Sequence, residues 1–219
     1  MSNLLNAAKY YKAYPHQDRA WKELEARLPK SVVEDFLKVY RDAPKPSQRP
    51  LPVPYEYQND NASGTGYREC FSSSCAMLAK YAGKVRSDDE YNSIRSHFGD
   101  TTSGQAQLRT LHSLELDDAK FGTNGSLDFL KDEIDAGRPV AVGWLHQGTV
   151  SSPRGGGHWS VVIGYNDKGL IIHDPNGEAN LVQGGYVNHS GGEGVLYSYK
   201  NFIPRWEVEG PGTGWYISV

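Results

Sequence analysis

The chain has 219 residues, 38% of them hydrophobic, which is enough to bury a core in one domain with at most a small appendage. Its 23 Lys+Arg against 26 Asp+Glu leave a formal net charge of −3, which argues against a general nucleic-acid binder. No apolar run approaches the roughly 20 residues needed to cross a bilayer, and two Cys, at 70 and 75, are too few for a disulfide scaffold or a structural zinc site.

The first nine residues have neither a basic start nor a long apolar stretch, so they do not read as a secretory signal. Residues 1–50 hold ten Lys+Arg and six Asp+Glu, a net of +4, whereas residues 51–219 hold 13 and 20, a net of −7. Ala20, Trp21, Leu24 and Leu28 recur at helical spacing. A second helix is expected to open at a capping box, Ser31 to Glu34, with Val33, Phe36, Leu37 and Tyr40 as its apolar stripe. Five prolines between Asp42 and Pro54 forbid both helix and central strand. That stretch reads as a semi-rigid linker. A helical extension, 1–45, thus precedes a domain over 46–219.

Helices dominate the next part. One is expected from Cys70 to a left-handed cap at Gly83. Another opens at the capping box Ser87 to Glu90 and ends near Phe98. A third covers about Gln105 to Leu114, and a fourth runs from Ser126 to a stop at Gly137. A short strand fits Ala119–Phe121. Strands then follow at Pro139–His146, His158–Tyr165, Leu170–Asp174, Gly194–Tyr199 and Trp215–Val219, separated by Gly, Asn, Asp and Pro. Helices first and antiparallel strands later make an α+β class.

Cys70 starts an apolar helical run after a Gly-containing loop. A Cys at a helix N-terminus feels the positive end of the macrodipole and the free N–H groups there, which favours the nucleophilic thiolate. The alternative is a small buried hydrophobe, the usual role of a free Cys. Cys75 lies five residues on, about 140° around the helix, beside Ala76, Met77 and Leu78, and reads as core.

His158 opens a strand directly after Gly155, Gly156 and Gly157. Alternation puts His158, Ser160 and Val162 on one face and Trp159, Val161 and Ile163 on the other. The glycines let a substrate backbone approach closely. A strand-end His satisfied by solvent is the alternative. His146, at the end of the preceding strand, is the best decoy among the remaining histidines. Asp174 lies 16 residues after His158, on the next strand, opposite in face to His173. It could accept the imidazole N–H, or simply start a turn before Pro175. A Cys, a His and an Asp in this order make a complete nucleophile, base and orienter.

Together with Val53-Pro54-Tyr55 and Gln58-Asn59-Asp60-Asn61, these motifs resemble papain-like cysteine peptidases of the bacteriocin-processing type. The nearest look is the branch encoded by bacteria and their phages. The Cys motif C-x-x-[ST]-S-x-A-M is met from Cys70 to Met77. The His motif G-G-H-[WY] is met at Gly156 to Trp159, and the D-P turn at Asp174-Pro175. The resemblance covers residues 51–219. It implies a papain-like fold, Cys70 as nucleophile, His158 as general base and Asp174 as orienter. It further implies that Gln58 donates to the oxyanion together with the Cys70 backbone N–H, with Asn61 as competitor. Gln58 precedes Cys70 by 12 residues, so the loop between must fold back.

The segment Tyr10 to Gln17 resembles short helical modules attached to phage lysins, and the run Pro204 to Trp215 resembles phage-encoded members. The leading expectation is therefore an endolysin-type peptidase cutting peptides of bacterial peptidoglycan, needing no metal or organic cofactor and no nucleic acid. It would wait in the host cytoplasm before release to the wall, or ride on the virion. Residues 1–45 could contact the wall or pack as a helical hairpin. The other readings are a peptidase that processes a leader or virion precursor, and an inactive virion binding module.

Overall fold

The computed structural model describes residues 26–42 and 50–219. The chain divides into two units, Met1–Arg49 with Asp135–Gly137, and Pro50–Ile134 with Arg138–Val219. In the first unit, helix α1 spans Lys30–Asp42. Val33 and Phe36 are buried and Leu37 is exposed. The expected capping box is displaced. Pro29 supplies the first acceptor, its carbonyl taking the N–H of Val32 at 2.9 Å and of Val33 at 3.2 Å, so Ser31 lies inside the first turn. Leu28 sits in a bend before the helix. The helix expected around Ala20 to Leu24, the segment Tyr10 to Gln17, and Pro44 and Pro46 of the linker lie outside the described residues.

The second unit begins with three helices, α2 (Cys70–Tyr81), α3 (Asp88–Arg95) and α4 (Gly104–Ser113). Every residue of α2 from Phe71 to Ala79 is buried, which marks it as the central helix. It stops as expected. Gly83 takes φ 73°, and the N–H of Lys84 reaches back to the Ala79 carbonyl at 2.9 Å. Ser87 caps α3 by accepting the Glu90 N–H at 3.2 Å, while the Glu90 carboxylate accepts from Arg86 N–H at 2.8 Å, one residue off the reciprocal box. Ser103 caps α4, and Ser126 caps α5 (Leu127–Asp135).

Strands β1 (Lys120–Gly125), β2 (Val140–Trp144), β3 (His158–Tyr165), β4 (Gly169–His173), β7 (Val195–Ser198) and β8 (Gly214–Ser218) form one sheet in the order β1-β8-β2-β3-β4-β7. All its pairings are antiparallel. Strands β3 and β4 are joined by a tight turn, with Asn166 N–H bonded to the Gly169 carbonyl at 2.9 Å. A two-stranded ribbon, β5 (Glu178–Ala179) with β6 (Tyr186–Asn188), and helix α6 (Tyr199–Trp206) were not expected. The ribbon strands are too short to show an alternation. Pro204 lies inside α6 and masks its helical pattern, but Phe202 and Trp206, one turn apart, are buried and hold it.

The sheet is the middle layer. Trp159, Val161 and Ile163 pack in one core with Phe71, Cys75, Met77 and Leu78 of α2. Val162, Val140, Val142 and Ile172 pack in a second core with Leu130 and Ile134 of α5 and Phe202 and Trp206 of α6. This is an α+β architecture, with six α-helices among the described residues.

Candidate active site

Cys70 is the first residue of α2 and is partly exposed, whereas Cys75 is fully buried and burial pushes its thiol pKa well up. The N-terminal N–H groups of α2 thus surround Cys70 and not Cys75. The Cys70 side chain stands close enough to His158, the buried first residue of β3, to act on the charge of its imidazole.

Asp174 follows the last residue of β4 and is completely buried. Its Oδ1 meets His158 Nε2 at 2.7 Å and also accepts the Asn176 N–H at 3.0 Å. Its Oδ2 accepts the Tyr197 hydroxyl at 2.8 Å. With Nε2 held by Asp174, Nδ1 is the nitrogen left to face the Cys70 sulfur. Burial opposes charge on His158, but the Asp174 carboxylate and the neighbouring Cys70 side chain outweigh it and raise its pKa from 6.5 to about 10. The imidazole is therefore held protonated at neutral pH.

His173 points elsewhere, as alternation requires. Its Nδ1 accepts the Gly194 N–H at 2.9 Å, so its Nε2 carries the proton and donates to the Val53 carbonyl at 2.9 Å. Burial lowers its pKa, and it serves as a neutral strut. His146, the decoy, lies with its ring 5.7 Å from that of His158. Burial and the His158 charge lower its pKa to about 4, so it cannot hold a proton beside that imidazolium.

Gln58 lies in a 3-10 turn, Gln58–Asp60, and is 1% exposed. Its Nε2 donates one hydrogen to the Gly66 carbonyl at 2.8 Å. The same carbonyl accepts the Glu69 N–H at 2.9 Å, so the Gln58 amide sits beside the residue preceding Cys70. The loop does fold back. The Asn61 Nδ2 is engaged twice, by Glu69 Oε2 at 2.6 Å and Ser73 Oγ at 3.4 Å. Gln58 Nε2 has a second hydrogen beyond the one given to Gly66.

Two neighbours of the site, Tyr197 and Trp144, carried no sequence signal of their own. Tyr197 reads only as one aromatic in a strand, yet it holds the second Asp174 oxygen. Trp144 lies edge-on to His158, with ring centroids 5.3 Å apart, and its indole N–H donates to Ser160 Oγ at 2.9 Å. Tyr55, of the Val53-Pro54-Tyr55 motif, donates its hydroxyl to the Asp174 carbonyl at 2.9 Å.

A cavity of about 740 Å³ opens at Cys70. Its walls include Phe71, Phe121, Trp159 and Trp215, with Gly155 to Gly157 along one side. Phe71 and Trp159 stack at 3.7 Å with 4° between their planes. Cys70 is the candidate residue on its wall, so the arrangement can present the sulfur, with the His158 imidazole behind it, to a peptide lying in this cleft. Among the described residues, no group of three or more His, Cys, Asp or Glu could hold a metal ion, and no helix is long and apolar enough to cross a membrane.

The sequence profile of the Peptidase_C39 like family matches residues 50–202. Among solved structures, a C39-like peptidase from Bacillus anthracis is similar over 77% of this chain and 95% of its own, with 18% identity and a TM-score of 0.54. The peptidase domain of Streptococcus ComA, a bifunctional ABC transporter of a quorum-sensing pathway, is 20% identical over 75% of this chain and 96% of its own, with a TM-score of 0.46. A search of curated proteins finds no match.

Proposed function

Since this chain belongs to the Peptidase_C39 like family and is a cysteine peptidase, we propose that Cys70 is its nucleophile, His158 its general acid and base, and Asp174 the orienter. The observation that carries the reading is the continuous contact from Cys70 through His158 to Asp174, closed by the 2.7 Å bond at Nε2.

The Cys70 thiolate attacks the carbonyl carbon of the scissile peptide, forming a C–S bond and an oxyanion. The Cys70 N–H and the free Gln58 Nε2 hydrogen receive that oxyanion. Collapse breaks the C–N bond, and the His158 imidazolium gives its proton to the leaving amine. Water then attacks the thioester, His158 takes its proton, and the thiolate is released. Asp174 keeps the imidazole in one tautomer and supports its charge throughout.

The finer reading is a lysin acting on the peptides of bacterial peptidoglycan, with residues 1–45 as a separate helical extension that contacts the wall. It is supported by the likeness of the segments Tyr10 to Gln17 and Pro204 to Trp215 to phage lysins. A second reading, a peptidase that processes a protein precursor, is favoured by the aromatic walls of the cleft. Peptidoglycan stems carry mostly small or charged side chains, whereas Phe71, Phe121 and Trp159 suit a bulky apolar one. A zymogram on purified cell wall beside one on casein tests both. Clearing on wall that Cys70→Ala abolishes supports the lysin, clearing on casein alone supports processing, and no hydrolysis of either sinks both readings.

A further inference from the structure

The carboxylate of Glu69 plays no part in the reaction proposed for Cys70, yet it is 1% exposed and immediately precedes that residue. It does not cap its own helix. Instead it collects donors from the loop that carries Gln58. Its Oε2 accepts from Asn61 Nδ2 at 2.6 Å and Ser63 Oγ at 2.9 Å, and its Oε1 accepts from Thr65 Oγ1 at 2.8 Å. Three side chains spread over five loop positions thus converge on one carboxylate. The chain continues inward, with Asn61 also reaching Ser73 Oγ and Ser73 Oγ donating to Asp88 Oδ2 at 2.9 Å.

The backbone completes the connection. The Gly66 carbonyl receives both Gln58 Nε2 and the Glu69 N–H. A Cβ at Gly66 would lie 2.1 Å from the Gln58 carbonyl oxygen, so only glycine permits this approach. Gln58 therefore takes its position from Gly66, Gly66 from the Glu69 backbone, and the rest of the loop from the Glu69 carboxylate.

We propose that Glu69 is a positioning residue that clasps the loop from Gln58 to Arg68 onto the start of α2, and so aims the Gln58 amide at the oxyanion. The proposal rests on the reading of Cys70 as nucleophile and Gln58 as oxyanion donor. As a carboxylate, Glu69 accepts from all three side-chain partners at once. In Glu69→Gln an amide NH₂ would face at least one of these donors.

The test separates oxyanion stabilisation from thiolate reactivity. Alkylation of Cys70 by iodoacetamide passes through no oxyanion, whereas peptide hydrolysis does. Glu69→Gln is expected to lower kcat about 10- to 100-fold, somewhat less than loss of a whole oxyanion donor, with KM little changed. The rate of Cys70 alkylation and its pH dependence should stay as in the wild type. In a Gln58→Ala background the same substitution should cost almost nothing further, because Glu69 acts through Gln58. Wild-type kcat in Glu69→Gln overturns the proposal. So does a parallel loss of alkylation and hydrolysis, or full additivity with Gln58→Ala, since either means a merely structural role. If Glu69→Gln fails to fold, Thr65→Val decides: a smaller loss confined to kcat supports the clasp, and unchanged kcat overturns it. Activity surviving in Cys70→Ala would instead sink the underlying nucleophile assignment, so the two failures are distinguishable.

Discussion

Cys70 and Cys75 share one helix and differ in everything that decides reactivity. The first sits among free helix N–H groups with an imidazole beside it; the second has no exposed surface. Cys70→Ala is expected to lower turnover by on the order of 10³-fold or more, measured on any hydrolysed substrate. Cys75→Ala should retain activity and lose about 1 kcal/mol of stability to the small void it leaves, read by chemical denaturation. The pH profile reports on His158. Its folded pKa, about 10, lies above its ordinary 6.5, so the charged form contributes stability in full below pH 6.5, and that contribution disappears as pH rises through 10. The alkaline limb of kcat/KM should fall near the same pH. Asp174→Asn removes the carboxylate that supports the charge, so the limb should move to lower pH, with a smaller loss of rate than His158→Ala causes. An unmoved limb would mean that Asp174 does not tune the imidazole.

At the scale of the element, α6 contributes one polar side chain besides its core residues Phe202 and Trp206. Arg205 is buried, and its guanidinium donates to the carbonyls of Leu181 (2.8 Å), Leu145 (2.9 Å), Gln147 (3.1 Å) and Gly148 (2.6 Å). These carbonyls belong to the segment that leaves β2 and to the segment before the β6 strand. The planar fork of Arg satisfies them together, and a Lys ammonium cannot. Arg205→Lys should therefore cost about 2 kcal/mol or more, seen as a lower denaturation midpoint, because buried carbonyls lose their donors. The strut at His173 works in the same way between β4 and the chain at Val53. His173→Ala is expected to lower stability while leaving the alkaline limb of His158 in place.

For the whole molecule, the chemistry asks only for a thiolate and its acid–base partner. EDTA should leave hydrolysis intact and iodoacetamide should remove it; the opposite result would point to a metallopeptidase and to His158, His173 and Asp174 as ligands. The unit from Pro50 to Val219 holds Cys70, His158, Asp174 and Gln58 together, apart from the short piece Asp135–Gly137 assigned to the other unit. A chain shortened to residues 46–219 should hydrolyse a small peptide substrate at close to the full-length rate, while any wall-dependent activity should fall if residues 1–45 contact the wall.

Much of this molecule follows from local rules that act within a few residues. Ser87 and Ser103 cap helices because their hydroxyls meet N–H groups three residues on, and Gly83 ends α2 because its backbone alone accepts φ 73° without strain. Strand alternation separates His173 from Asp174, and the helix-start position separates Cys70 from Cys75. Where a partner is distant in sequence, such rules are silent. The strand pairing order, helix α6 with its internal Pro204, the Tyr197 bond to Asp174 and the Arg205 fork all depend on side chains meeting across the fold. The choice between Gln58 and Asn61 is of this kind. Both are polar residues of one turn, and nothing nearby in sequence ranks them. Their surroundings differ only through packing: Glu69 and Ser73 engage the Asn61 amide, while Gly66 takes one hydrogen of Gln58.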